Sequence, residues 1–144
     1  MWVPVPRKGV SVKPIVKKMI KNWGITDIDF MGYKKNKDDI FTFHHLIVPA
    51  RYGGPYEEWN GAILCGKTSH PYLHTIEHFD EDRFLYITSL LIDENVLGKL
   101  DVKTLKEINN VLKSFEREYD TFIYNNKKRV IKPEYLNRVY YNSK

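Results

Sequence analysis

The sequence predicts an α+β fold, in which a small ββα core of one hairpin and one helix is flanked by N-terminal and C-terminal helices. Amphipathic helical stripes occur on both sides of a central region that is rich in aromatic and aliphatic residues and in turn signals. A length of 144 residues suits one hydrophobic core. We therefore expect one domain over residues 1–144, with the ββα core at about 41–78, a helical extension at 79–119 and a basic tail at 120–144.

The N-terminal part of the chain predicts a helix followed by a short strand. Apolar side chains recur at helical spacing over residues 13–23, with Pro14 in the first turn and Gly24 at the end. The opposite face of this helix is basic. Looser alternation of apolar and polar residues over 25–33 predicts a short strand.

The central segments predict a hairpin. Residues 40–48 are rich in aromatic and β-branched side chains, and Pro49 limits their continuation, which predicts a strand ending near a pair of histidines. Asn60 and Gly61 form a turn signal before a second apolar segment at 62–65. The two segments would pair around a loop rich in glycine and proline.

Three helices are predicted after the hairpin. Thr68 or Ser69 can cap the first, which runs toward His78. The second carries an apolar stripe and is interrupted by Gly98, and the last covers about 101–119.

The charge distribution favours an anionic partner. Lysine and arginine number 23 against 18 acidic residues, and the excess lies at the two ends. Residues 1–39 carry nine basic side chains against four acidic ones, and residues 120–144 carry six against two. We expect the basic ends to grip nucleic acid while a bound cation corrects the mildly acidic middle. The alternative, that these lysines only keep a small protein in solution, stays open.

The composition also indicates the cellular compartment. Cys65 is the single cysteine, so an internal disulfide is excluded. No apolar run approaches the roughly 20 residues that span a bilayer, and no secretory signal is recognisable at the N-terminus. We expect a cytoplasmic protein with no membrane contact.

Histidines supply the chemical signal. All five lie between positions 44 and 78. His70 and His74 are four apart on a predicted helix and therefore share a face, a spacing typical of divalent-metal ligands. A zinc protease is disfavoured because Pro71 stands where the catalytic glutamate of that motif would follow the first histidine.

The adjacent histidines His44 and His45 should point to opposite sides of their strand. One can therefore bind a metal while the other stays unligated as a general base, a role that suits imidazole at neutral pH. For any one histidine alone, a purely structural role stays open.

The order of these residues resembles the HNH endonucleases, whose core is the ββα-metal motif. The resemblance lies in the segments 44–49 (HHLIVP), 60–65 (NGAILC) and 70–74 (HPYLH), and it covers roughly residues 41–78. The two Cys-x-x-Cys pairs that many members use for a structural zinc are missing.

The resemblance implies a metal-dependent endonuclease that hydrolyses phosphodiester bonds in DNA with one divalent ion. Its implied metal ligands are His44, His70 and His74. It implies His45 as the general base and Asn60 as the residue that braces the hairpin loop and orients that base. Magnesium, manganese, zinc and nickel all stay open as the ion.

Two basic side chains of the central block are candidates for phosphate binding. Arg51 and Lys67 are the only cations in the block 40–80 and could hold phosphates near the metal. His78 is expected outside the ligand set.

Two alternatives to a nuclease stay open. A non-catalytic nucleic-acid-binding module with a structural metal site is the first alternative. The second is an adaptor protein that uses the helices of 82–119 as a partner surface.

Overall fold

Four helices and a two-stranded antiparallel hairpin form the part of the chain that the computed structural model describes, residues 13–126, with side chains through residue 121. The elements are α1 (Lys13–Trp23), β1 (Phe41–His45), β2 (Gly61–Cys65), α2 (Ser69–Phe79), α3 (Glu81–Leu97) and α4 (Val102–Asn126). The predicted α+β class, with helices flanking a hairpin, is confirmed. The first twelve residues, and the part of the predicted basic tail beyond residue 126, lie outside the described residues.

The hairpin pairs β1 with β2 residue for residue. Phe41 lies opposite Cys65, and His45 lies opposite Gly61. All five residues of β2 are buried, whereas β1 is buried only in part. Strand β2 therefore forms the inner layer, and β1 carries its histidines toward the edge of the core.

The core lies where α2 and α3 cross the hairpin and α4 covers α3. Each helix contributes an apolar stripe to it, as the helical periodicity predicts. The largest fully buried side chains come from α1, the segment before β1, β2 and helices α2 to α4: Met19, Phe30, Met31, Tyr33, Ile63, Leu64, Tyr72, Leu73, Ile76, Ile87, Leu91 and Leu105. The packing fixes α2 against the hairpin and so sets the distance between their histidines.

The strand predicted over 25–33 is wrong, because this segment makes a single isolated bridge, between Ile28 and Lys34. The reason is the buried carboxylate of Asp29, which accepts hydrogen bonds from the backbone amides of Met31 and Tyr33, both at 2.9 Å. These bonds curl the chain into a tight turn instead of leaving its amides for a sheet.

The helix ends follow the sequence signals in part. Asp80 caps α3 by accepting from the Arg83 amide at 3.2 Å, and Gly98 ends α3 in the left-handed conformation at φ 72°. At the start of α2, Thr68 is the N-cap residue, as predicted, but the expected side-chain bond is missing. The Thr68 side chain makes no capping bond, and the Ser69 hydroxyl donates to Asp29 instead. Helix α4 also continues past the expected end at residue 119.

No helix in the described part of the chain combines the length and the apolar composition needed to cross a membrane.

Candidate metal and catalytic site

Strand β1 places its two adjacent histidines on different sides, as the period of a strand requires. His44 is 3% exposed and faces α2. His45 is half-buried and shares its side with Phe43, whose ring centre lies 5.0 Å from its own. Tyr56, from the loop after β1, covers His45 at 4.8 Å between ring centres. The two imidazoles therefore have separate surroundings.

Helix α2 brings two more imidazoles against His44. His70 and His74 stack on one another across one helical turn, with ring centres 5.2 Å apart. Their ring centres lie 5.1 and 5.3 Å from that of His44. One nitrogen of each of the three rings lies within 4.8 Å of the others. The three residues expected as metal ligands thus converge, and we call them the histidine cluster.

The spacing within the histidine cluster fits a metal ion. His44 Nδ1 lies 3.4 Å from His70 Nε2. Two imidazole nitrogens bound to one tetrahedral ion at 2.0–2.1 Å are about 3.3–3.4 Å apart, from the geometry of zinc sites. The other ring nitrogen of His44, Nε2, is buried and has no hydrogen-bond partner among the described residues. The three residues could therefore hold a metal ion.

Burial keeps His44 and His70 uncharged. Desolvation, followed by repulsion from the neighbouring imidazoles, lowers the pKa of His44 well below its usual range. The same two causes lower the pKa of His70 to about 4. Both rings are thus neutral near pH 7, which is the form that binds metal ions.

His45 contacts the loop that joins β1 to β2 and stays outside the histidine cluster. Its Nε2 lies 3.1 Å from the carbonyl oxygen of Gly54. Because a carbonyl can only accept, Nε2 carries the proton and the lone pair of the neutral ring is on Nδ1. The backbone thereby fixes both the tautomer and the orientation of this imidazole.

Asn60 holds that loop in place. Its Oδ1 accepts from the amides of Ile47 and Val48 at 2.9 and 2.8 Å. Its Nδ2 donates to the carbonyl oxygens of Val48 and Pro55 at 3.0 and 3.2 Å. The buried amide side chain therefore braces the loop on both sides of Gly54, the residue that orients His45.

A cleft of about 530 Å³ opens over these residues. Its walls come from β1, the following loop, α2 and α3. Histidines 44, 45, 70 and 74 all line it, and so do Arg51, Tyr56, Glu77 and Phe84. The general base and the metal ligands implied by the resemblance thus face one common space.

The remaining candidates separate into one inside the cleft and two outside it. Arg51 lines the cleft, with its guanidinium carbon 4.9 Å from the centre of the Tyr52 ring. Lys67 does not line it, and its ammonium pairs with Asp38 at 3.7 Å. His78 is exposed and is not part of the histidine cluster, as expected.

Two contacts of the helix histidines were not selected from the sequence. Thr42 Oγ1 lies 2.8 Å from His70 Nδ1, and Glu77 Oε1 lies 3.0 Å from His74 Nδ1. A spacing signal for both exists in the sequence. Thr42 precedes His44 by two residues on the same side of a strand, and Glu77 follows His74 by three on the same face of a helix.

Comparison of the chain with protein-family models, with curated proteins and with solved structures gives no match.

Proposed function

We propose that this chain is a metal-dependent endonuclease that hydrolyses phosphodiester bonds in DNA. The observation that supports this function best is the separation of two roles within one cleft. Three imidazoles converge at ion-binding distance, while His45 lies beside them, outside the cluster, in a fixed tautomer. A site built only to hold a structural metal needs no such fourth imidazole.

His45 is the general base of the proposed reaction. Its Nδ1 takes a proton from a water molecule as the water oxygen attacks phosphorus, and the bond from phosphorus to the 3′ oxygen breaks. A positioned base of this kind contributes about 10²–10⁴-fold to the rate. Gly54 and Asn60 keep the ring oriented during the transfer. Arg51 lies at the cleft and can hold a phosphate oxygen by charge-assisted hydrogen bonds.

A divalent ion bound by the histidine cluster would polarise the phosphate and stabilise the charge that develops on the leaving oxygen. An all-imidazole donor set favours zinc or nickel, whereas magnesium and manganese prefer oxygen donors. We therefore place zinc and nickel first among the four ions that the sequence leaves open.

A plasmid-nicking assay on the purified chain tests the function, with each of the four ions and with a chelator. We expect the chelator to abolish cleavage. His45→Ala should lower the cleavage rate at least about 100-fold while metal binding, measured by calorimetry, is retained. His70→Ala should remove both cleavage and metal binding.

His78→Ala is the matched control, since it removes an exposed histidine from the same helix. It should cleave like the unchanged protein. Cleavage that persists in chelator, or that is insensitive to His45→Ala, would contradict the proposed function.

A non-catalytic nucleic-acid-binding module is the second candidate. The exposed lysines of α1, Lys17, Lys18 and Lys21, favour it, since they form a basic face suited to phosphate contacts. This candidate predicts salt-dependent DNA binding that His45→Ala leaves unchanged, with no nicking under any ion.

A further inference from the structure

Thr42 joins the hairpin to a proposed metal ligand. It lies in β1 opposite Leu64 of β2. Its hydroxyl oxygen lies 2.9 Å from the carbonyl oxygen of Leu64 and 2.8 Å from Nδ1 of His70. One half-buried hydroxyl thus contacts both a strand backbone and a histidine of α2.

The directions of these two hydrogen bonds follow from the available protons. A hydroxyl has one hydrogen, and the Leu64 carbonyl can only accept, so Thr42 donates to Leu64. The Thr42 oxygen must then accept from His70, which requires a proton on Nδ1. A neutral imidazole has only one such proton, so the lone pair of His70 is on Nε2, the atom that lies 3.4 Å from His44 Nδ1.

We infer that Thr42 is a positioning residue that fixes the tautomer and the orientation of His70 for metal binding. This inference rests on the metal site of the proposed function. A partner at the second nitrogen commonly orients a ligating histidine, and its loss lowers metal affinity about 10–100-fold. Here the partner is a hydroxyl that is itself anchored to the sheet.

The contact between Glu77 and His74 is the natural comparison, and its loss should lower metal affinity less. The Glu77 carboxylate accepts from Nδ1 of His74, as the Thr42 hydroxyl accepts from Nδ1 of His70. The Glu77 and His74 side chains, however, are 40% and 52% exposed. Water can replace an exposed acceptor at little cost, whereas the bond between Thr42 and His70 is part-buried. The hydroxyl is therefore the stronger constraint on the cluster.

Two substitutions separate the hydroxyl from the shape of the side chain. Thr42→Val keeps the branched shape and removes the hydroxyl, leaving the Nδ1 proton of His70 without its acceptor. Thr42→Ser keeps the hydroxyl and removes the methyl group. The hydroxyl alone accounts for the inferred role, so Thr42→Ser should rescue what Thr42→Val loses.

The first measurement needs no metal. Long-range proton–nitrogen spectra of the imidazole rings distinguish a protonated from an unprotonated ring nitrogen. In the metal-free protein we expect His70 to be protonated at Nδ1, and the same in Thr42→Ser. In Thr42→Val both tautomers should be populated. Far-ultraviolet circular dichroism and thermal melts confirm that each variant is folded.

The second measurement is calorimetric titration with zinc and with nickel. We expect Thr42→Val to bind about 10-fold to 100-fold more weakly, and Thr42→Ser to bind within about threefold of the unchanged protein. Glu77→Ala should lose less affinity than Thr42→Val.

The outcomes distinguish this inference from the proposed function. A His70 that is protonated at Nε2 in the unchanged protein overturns the inference, and so does undiminished metal affinity in a folded Thr42→Val. If the valine variant does not fold, a Thr42→Ser protein with altered tautomer or weakened binding overturns it. An unchanged protein that binds neither ion overturns the metal site itself.

Discussion

At the scale of single residues, the buried amide of Asn60 controls the loop that orients His45. Asn60 is fully buried, and its four hydrogen bonds all go to loop backbone. No other side chain could replace it easily, because the loop offers both amides and carbonyls, and only an amide side chain has both a carbonyl acceptor and N–H donors.

We predict that Asn60→Ala destabilises the protein by about 3 kcal/mol, since each buried polar group left unpaired costs roughly 1–3 kcal/mol. Urea denaturation monitored by tryptophan fluorescence measures the change. Asn36→Ala, at an exposed site, is the control and should change the free energy of unfolding by less than about 0.5 kcal/mol. Equal effects of the two substitutions would contradict the bracing role.

The residues of the candidate site differ in whether the sequence alone could identify them. His70 and His74 could be chosen because helical spacing alone predicts a shared face. The approach of His44 to both depends on how α2 packs on the hairpin, which no local pattern encodes. Thr42 shares one side of β1 with His44, which strand spacing predicts, but its contact with His70 depends on the same packing of α2 on the hairpin.

At the scale of elements, the loop between β1 and β2 admits no side chain at Gly54. A Cβ built there lies 2.0 Å from the carbonyl oxygen of Val48 and 2.8 Å from that of Pro49. These are backbone atoms, which cannot turn aside as a flexible side chain can. A larger residue must therefore displace the loop and with it the carbonyl that binds His45.

We predict that Gly54→Ala reduces nicking at least about 10-fold while zinc and nickel affinity stays within about threefold, because the loop orients the base but contributes no proposed ligand. Parallel nicking and calorimetric assays measure the two effects. Gly24→Ala is the control, since its added Cβ meets no atom within 4 Å and only its φ of 65° is strained. A Gly54→Ala protein that loses metal binding first would oppose this assignment.

The elements themselves were predictable to different degrees. The extent of α1 and the pairing of the hairpin follow from local signals, namely apolar periodicity, Pro14 and the turn at Asn60 and Gly61. The strand expected over 25–33 fails because the amides of Met31 and Tyr33 bond to the carboxylate of Asp29. The conformation of the hairpin loop depends on hydrogen bonds between residues more than ten positions apart, such as Asn60 to Val48, and such contacts leave no periodic signal.

At the scale of the whole molecule, α3 buries an acid in the centre of the helical layer. Glu94 is fully buried, and neither carboxyl oxygen has a side-chain hydrogen-bond partner among the described residues. Burial raises its pKa to about 9, since desolvation and the charges of Asp29 and Asp101 outweigh the lowering effect of a hydrogen bond from the Asp101 backbone. The indole of Trp23 donates to the Glu94 backbone carbonyl at 3.2 Å, so α1 and α3 meet at this residue.

Because the pKa of Glu94 rises from 4.5 in the unfolded chain to about 9 in the folded one, the folded state holds a proton that the unfolded state releases. The stability that this proton contributes is therefore complete below about pH 4.5 and is lost as the pH rises toward 9, by several kcal/mol in all.

We predict that Glu94→Gln, which mimics the protonated acid, raises the free energy of unfolding by about 2 kcal/mol or more at pH 8 and changes it little at pH 5. Urea denaturation across this range measures both values, and Glu81→Gln, at an exposed site of the same helix, should show no such slope. A gain from Glu94→Gln that is the same at both pH values would mean that the buried carboxyl does not titrate between the two states.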